Sequence, residues 1–287
     1  MADPLTREIH EAVARALAED LGAGDLTTAA VVPAGARAVA RIEQRAPGVL
    51  SGLDGAREVF AQTGPGLRFE ALAGEGAWRE PGDVAMIEGD AAAILAGERV
   101  ALNLLGRLSG VATMTASYVR AVDGTGARIL DTRKTTPGLR ALEKRAVAHG
   151  GGVSHRAGLY DAILIKENHA LLAGGVGEAA RLAIANPAGA AFVESEVETL
   201  DELDQVLAAG VDRVLLDNMD PERMREAVAR ARGRGVTLEA SGGITLENVR
   251  AVADTGVDFI SVGALTHSAP ALDVSLLLVR AQGPAQR

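Results

Sequence analysis

The chain has 287 residues, 48% of them hydrophobic and only 2% aromatic, so its core must be built from Ala, Val, Leu and Ile, in one large domain or two ordinary ones. A formal net charge of -9 argues against non-specific binding to nucleic acid, and the absence of cysteine excludes a disulfide framework, a thiol nucleophile and a cysteine zinc site. The start, MADPLTREIHEAVARAL, is charged and amphipathic with no apolar signal core, and no run is long enough to span a bilayer, so a cytoplasmic protein without membrane partners is expected.

Residues 5–21 read as an amphipathic helix with Ile9, Val13, Ala16 and Leu17 on one stripe, stopped by Gly22-Ala23-Gly24-Asp25. From about Val31 to Val84, short β-like runs (AVARIEQ, GVLSG, GLRFEALA, GDVAMIEG) are broken by glycines, with a helix over Gly55–Thr63. This texture predicts a separate α+β domain in which Trp78 packs rather than binds. Residues 91–122 form a long, almost wholly apolar helix, buried or at a subunit interface, where Gly106 and Gly110 permit close packing or a break. Glu98 and Arg99 are its charged exceptions, either an internal ion pair or functional residues.

After Gly126 the pattern alternates. Apolar strands at about 128–131, 162–166, 191–197, 213–217, 236–241 and 258–262 are separated by helical segments. Pro137 suits the first turn of a helix bearing Leu139, Leu142 and Val147, which Gly150-Gly151-Gly152 ends. Thr199 with Glu202 makes a capping box, Asp220-Pro221 is an N-cap followed by a first-turn proline, and Thr245 caps a helix ending at Gly256. Such alternation means parallel strands and right-handed crossovers, and its repeat length fits a β/α barrel, whole or incomplete, better than an open sheet. No GxGxxG follows the first strand, which counts against a dinucleotide site. A closing helix, Val274–Ala281, is expected to pack back on the first domain.

In a β/α barrel, reactive groups sit at the C-terminal ends of the strands. Those ends carry Arg133 and Lys134, His155 and Arg156, Lys166, Glu196, Asp217, Ser241-Gly242-Gly243 and Val262-Gly263-Ala264. Within Asp131–His169, three short apolar runs each end in side chains that bind anions, which points to a pocket for a ligand with several negative charges. The two glycine loops, in the last two units, offer backbone N–H groups to a phosphate. Glu196 and Asp217 either cap strand ends and pair with nearby cations, or hold sugar hydroxyls or a Mg²⁺ shared with phosphate oxygens. Adjacent Arg156 should disfavour protonation of His155, which reads as a hydrogen-bond partner for the ligand rather than a proton shuttle. No HExxH or dense ligand cluster suggests zinc, and His10 and His267 read as surface and structural.

These residues resemble the quinolinate phosphoribosyltransferase family, type II phosphoribosyltransferases that act as nicotinate-nucleotide pyrophosphorylases in NAD biosynthesis. The resemblance rests on EDLGAGDLTT at 19–28, GERVALNLLGRLSGVAT at 97–113, DTRKTTPGLRALEKRAVAHGGGVSHR at 131–156 and ILIKENH at 163–169. It continues through ESEVE at 194–198, LLDN at 215–218, EASGGI at 239–244 and SVGALTHS at 261–268. It implies an α/β fold: an N-terminal α/β sandwich over residues 1–112, rejoined by 270–287, followed by an incomplete (β/α) barrel over 113–269.

The implied activity is that of a pentosyltransferase joining quinolinate to phosphoribosyl pyrophosphate (PRPP) with Mg²⁺ and no organic cofactor, and releasing pyrophosphate and CO₂. Arg99, donated across a homodimer that could assemble further to a hexamer, would join Thr132, Arg133, Lys134, His155, Arg156 and Lys166 around quinolinate. Glu196 and Asp217 would hold ribose hydroxyls and Mg²⁺, with Ser241, Gly242, Gly243, Val262, Gly263 and Ala264 around the 5-phosphate. Catalytic roles would fall to Lys134, Lys166, Glu196 and Asp217. Two alternatives are a related transferase for another aromatic acid and a catalytically silent barrel that senses a phosphorylated ligand.

Overall fold

A computed structural model describes residues 4–282. Helix α1 (Pro4–Leu21) forms because Ile9, Ala12, Val13 and Leu17 recur at three- and four-residue spacing, and these are the side chains it buries. Asp25 caps α2 (Leu26–Val31), its carboxylate accepting the Thr28 N–H at 3.0 Å. The glycine-broken stretch resolves into β1 (Arg37–Gln44), β2 (Gly48–Val49), α3 (Leu53–Thr63), β3 (Arg68–Ala71), β4 (Trp78–Arg79) and β5 (Gly82–Asp90). Along β1 the residues Ala38, Ala40, Ile42 and Gln44 are buried in strict alternation, as a half-buried strand requires. Trp78 packs only in part, with 41% of its surface exposed.

The C-terminal segment corrects one expectation. Val274–Gln282 is a strand, not a helix, and pairs antiparallel with β1 from Gln44↔Val274 to Arg37↔Gln282. A short apolar run such as Leu276–Val279 suits either element, and the open edge of β1 supplies the hydrogen-bond ladder that decides it. The resulting sheet runs C-terminal strand, β1, β5, β3.

Helix α4 (Ala91–Ala121) passes unbroken through Gly106 and Gly110. Both glycines serve close packing: a Cβ on Gly106 would stand 2.9 Å from the Leu272 carbonyl oxygen, and one on Gly110 would overlap the Pro270 carbonyl. From the same helix, Arg107 reaches the buried Glu143 of α5 (Arg140–His149), with Nε and Nη2 at 3.1 and 2.9 Å from Oε1. Glu143 also accepts the Thr136 N–H at 3.0 Å and the Thr136 hydroxyl at 2.7 Å, pinning the start of the turn that leads into α5. Pro137 lies in that turn rather than in the first helical turn, because Gly138 adopts a φ of 79° that no helix accommodates.

The chain divides into two compact units, one holding the chain up to Ala116, Thr136–Gly151 and the chain from Ser268, the other Ser117–Thr135 and Gly152–His267. The segment 136–151, read from the sequence as part of the barrel, therefore belongs to the first unit. Its α5 packs against α1.

The second unit carries β6 (Arg128–Leu130), β7 (Ile163–Ile165), β8 (Val193–Val197), β9 (Arg213–Asp217), β10 (Thr237–Ser241) and β11 (Phe259–Ser261). All neighbours are parallel, in the order β6-β11-β10-β9-β8-β7, and Val153 bridges to Leu130 beyond β6 as a seventh position. The intervening helices are α6 (Glu167–Ala173), α7 (Val176–Ala185), α8 (Leu200–Ala209), α9 (Pro221–Ala231), α10 (Val249–Ala253) and α11 (Ala264–His267). Thr199 with Glu202 closes the capping box of α8, and Asp220 caps α9 ahead of Pro221. Thr245 caps nothing. Its N–H donates to Asn248 Oδ1 at 2.9 Å, and α10 starts only after Asn248.

Strands lie about 4.8 Å apart, so Val153 and β8, five positions away, would be roughly 24 Å apart in a flat sheet. Yet His155 Nε2 stands 2.9 Å from Glu194 Oε2 on β8. The sheet is therefore rolled into an incomplete β/α barrel, and alternate residues of each strand point into its interior.

Candidate active site

A cavity of about 500 Å³ opens at the C-terminal ends of the barrel strands. Of the residues read from the sequence, Thr132, Arg133, Lys134, His155, Arg156, Lys166, Glu196, Asp217, Ser241, Gly242 and Gly243 line it together. Each follows or ends a short strand, where parallel pairing stops and the chain turns outward. Val262, Gly263 and Ala264 do not line it; their strand contributes Ser261 instead. Gly263 lies against the Lys134 side chain, and the Thr266 hydroxyl donates to the Lys134 carbonyl at 2.8 Å, so this last loop backs the lysine. Arg99 is exposed on α4 in the other unit.

One wall is basic. Arg156 is buried, its Nη1 donating to the Ala162 carbonyl at 3.2 Å. Its pKa is lowered by burial and then by the charge of Arg133. Two guanidiniums pressed together in partial burial repel each other, and a bound anion relieves that repulsion. The Lys166 backbone N–H donates to His169 Nδ1 at 3.0 Å, and its ammonium pairs with Glu196 Oε2 at 2.5 Å.

The opposite wall is a loop. Gly242 and Gly243 adopt φ values of 91° and 62°, and a Cβ on Gly242 would collide with the Asn218 side chain. Asn218, itself left-handed at φ 53°, donates its backbone N–H to the Ser241 carbonyl at 2.9 Å and its amide to Asp217 Oδ2 at 2.7 Å. Asn248 holds the far side by donating to the Gly243 carbonyl at 2.8 Å. Because α10 has only five residues, the loop backbone and not a helix terminus must supply any phosphate contacts here.

His155 departs from its expected surroundings. Its Nε2 faces Glu194 at 2.9 Å and Glu239 at 3.4 Å, and its Nδ1 accepts the Arg156 N–H at 2.7 Å. Burial alone would lower the pKa of the ring, but hydrogen bonds and charges from the two glutamates raise it to about 9, against the expectation that Arg156 would dominate. Glu194 is raised to about 7, first by burial. Both directions mean that the cluster keeps an extra proton near neutrality, and the Arg156 contact at Nδ1 leaves that proton on the Nε2–carboxylate side.

Sequence reasoning missed Leu164, Leu215, Asn218, Glu239 and Ser261, which also line the cavity, and Glu194 beneath it. The signal was available for three of them. Stepping back two residues from Glu196, Asp217 and Ser241 gives Glu194, Leu215 and Glu239, the next inward positions on the same strands.

The Quinolinate phosphoribosyl transferase N-terminal domain model matches residues 25–109 and the C-terminal domain model residues 111–277. The chain is 44% identical over 275 residues to a nicotinate-nucleotide pyrophosphorylase [carboxylating] of Mycobacterium leprae, covering 93% of this chain and 96% of that protein. It is 43% identical over 260 residues to a probable nicotinate-nucleotide pyrophosphorylase [carboxylating] of Bacillus subtilis, covering 90% and 89%. The solved nicotinate-nucleotide pyrophosphorylase of Francisella tularensis superposes with a TM-score of 0.91 at 40% identity, covering 96% of this chain and 98% of that one. With both domain models matched in succession and a barrel mouth built from the motif residues, the chain belongs to the quinolinate phosphoribosyl transferase family.

Proposed function

We propose that this protein is a nicotinate-nucleotide pyrophosphorylase (carboxylating), a pentosyltransferase of NAD biosynthesis that joins quinolinate to PRPP with loss of pyrophosphate and CO₂. The observation that carries the reading is the cavity itself, where two guanidiniums and two lysines meet two carboxylates and a left-handed glycine loop, Lys166 being ion-paired with Glu196. Arg133 and Arg156 suit the two adjacent carboxylates of quinolinate, because a guanidinium fork matches a carboxylate in geometry as well as charge. Lys134 and Lys166 complete that wall and face the departing pyrophosphate. Glu196 and Asp217 hold the ribose hydroxyls, and Ser241–Gly243 takes the 5-phosphate, with Gly263 and Thr266 supporting Lys134 from behind.

The pyridine nitrogen displaces pyrophosphate at the ribose C1, where oxocarbenium character develops in the sugar. The residues named hold the two reactants in line and offset the charge of the leaving group. Once the nitrogen is quaternary, the ring accepts the electron pair released as the adjacent carboxylate leaves as CO₂, and that carbon takes a proton. No covalent enzyme intermediate is required. Glu196 and Asp217 fit a Mg²⁺ that arrives with PRPP, since they end adjacent strands at one cavity and Mg²⁺ takes one or two carboxylates plus phosphate oxygens. When bound, the ion neutralises the pyrophosphate.

Arg99 completes the quinolinate site from the partner subunit of a homodimer in this reading, with which its exposure on α4 is compatible. No helix among the described residues is long and apolar enough to cross a membrane, in keeping with a cytoplasmic enzyme. The test is CO₂ release from quinolinate. PRPP-dependent release is expected; release from neither quinolinate nor another aromatic acid sinks the reading, and turnover of a different acid alone identifies the related transferase. Mixing Arg99→Ala with Lys166→Ala subunits should restore part of the activity, and no recovery after demonstrated subunit exchange rejects the shared site.

A further inference from the structure

The floor of the cavity, lined by His155 and Glu239 with Glu194 beneath them, holds a charge cluster whose carboxylates have no role in the proposed reaction. Glu194 on β8 and Glu239 on β10 are fully buried. Arg213 stands 3.5 Å from Glu239 Oε2, its guanidinium 4.5 and 4.4 Å from the ring centres of Phe192 and Phe259. The edge of Phe192 meets the His155 ring at 5.8 Å. Both Glu194 oxygens and Glu239 Oε1 lack a hydrogen-bond partner among the described residues, so these carboxylates are held by charge, through His155 and Arg213, and not by a completed hydrogen-bond network.

The contacts of His155 show what that cluster accomplishes. A neutral imidazole has one donor and one acceptor nitrogen. The acceptor is Nδ1, which receives the Arg156 N–H at 2.7 Å, so the hydrogen belongs on Nε2, the nitrogen that stands 2.9 Å from Glu194 Oε2. The His155 backbone N–H is itself held by the buried Asp131 carboxylate at 2.9 Å. The ring thus acts as a strut between the barrel floor and the backbone of Arg156. If it flipped or changed tautomer, the Arg156 N–H would lose its acceptor, and with it one of the bonds that hold the loop carrying both His155 and Arg156.

We infer that Glu194 and Glu239 are positioning residues for the carboxylate-binding wall, setting the orientation and tautomer of His155 and through it the placement of Arg156. The inference rests on the quinolinate reading of that wall for its substrate, but not for its geometry. The same three ligand-type side chains lie within 4.8 Å of one another and would be a metal-ligand set if the floor held an ion, an outcome the test separates.

The full-length enzyme should be assayed as wild type and as Glu194→Ala, Glu194→Gln, Glu239→Ala and Glu239→Gln. The alanine variants should raise the KM for quinolinate on the order of tenfold while the KM for PRPP stays within about twofold, and glutamine, which keeps an acceptor oxygen, should recover most of the loss. An unchanged quinolinate KM, or equal rises for both substrates, overturns the inference. Should the alanine variants fail to fold, long-range ¹H–¹⁵N NMR of the His155 ring, identified by its loss in His155→Asn, decides without any turnover. An Nε2–H tautomer is expected near neutral pH. An Nδ1–H ring, or a stoichiometric divalent metal in purified protein that Glu239→Gln loses, overturns it. Absence of quinolinate turnover in the wild type alongside the Nε2–H ring would sink the proposed reaction and leave the strut intact.

Discussion

Arg133 and Arg156 were read alike from the sequence, as two forks at a barrel mouth, but their surroundings differ. Arg133 is half-buried, whereas Arg156 is 8% exposed and binds the Ala162 carbonyl as well as facing the cavity. Arg133→Ala should therefore lower kcat/KM for quinolinate on the order of 100-fold, the loss of about one charge-assisted hydrogen-bond pair, with little change in melting temperature. Arg156→Ala should lose activity and melt several degrees lower, because it also leaves a buried carbonyl without its donor. Thermal melts alongside steady-state kinetics distinguish the two; equal melting temperatures would mean that the Ala162 contact carries no weight. Composition adds a hint at this scale. Only Lys134, Lys144 and Lys166 among the 29 basic residues are lysines, and two of the three line the cavity. A chain that otherwise uses arginine keeps a compact ammonium where a fork would not fit.

The elements were legible wherever local chemistry decides them. The capping box of α8 and the Asp220-Pro221 start of α9 stand where their residues predict, since caps act within one turn. Thr245 failed because its own N–H is taken by the Asn248 side chain in a turn, and the helix starts only after Asn248. Gly110 in α4 is the sharpest test at this scale. Alanine there gains up to about 1 kcal/mol in helix propensity, but its Cβ would overlap a backbone carbonyl that cannot rotate away. Gly110→Ala should therefore destabilise by about 1–3 kcal/mol in denaturant unfolding, and a neutral or stabilised variant would show that the Pro270 segment yields.

The pH response belongs to the whole molecule, because it arises where strands far apart in sequence meet. The pKa of His155 is raised from 6.5 to about 9 and that of Glu194 from 4.5 to about 7. The two shifts belong to one coupled site: with Nδ1 accepting the Arg156 N–H, the proton that the folded chain keeps and the unfolded chain has released lies between Nε2 and the Glu194 carboxylate. The associated stability is present at low pH and is lost as pH rises through the folded values, about 7 and about 9 for the two partners of that site. Melting temperature should drop by a few degrees between about pH 6.5 and 9, and His155→Asn should flatten that fall. A rise in stability over the same window would contradict the cluster as described.

By itself the sequence determined the alternation of strands and helices, the parallel barrel, and the residues at the strand ends, because hydrophobic period, caps and turn glycines act over a few residues. It determined the family as well, through the motifs between Asp131 and His169. Only the tertiary structure decided that Val274–Gln282 is a strand, since an apolar run takes the form its neighbours can hydrogen-bond. Only the rolled sheet brought His155 onto Glu194 and Glu239, residues 39 and 84 positions further along the chain. Their meeting depends on strand order and curvature, which no local pattern encodes.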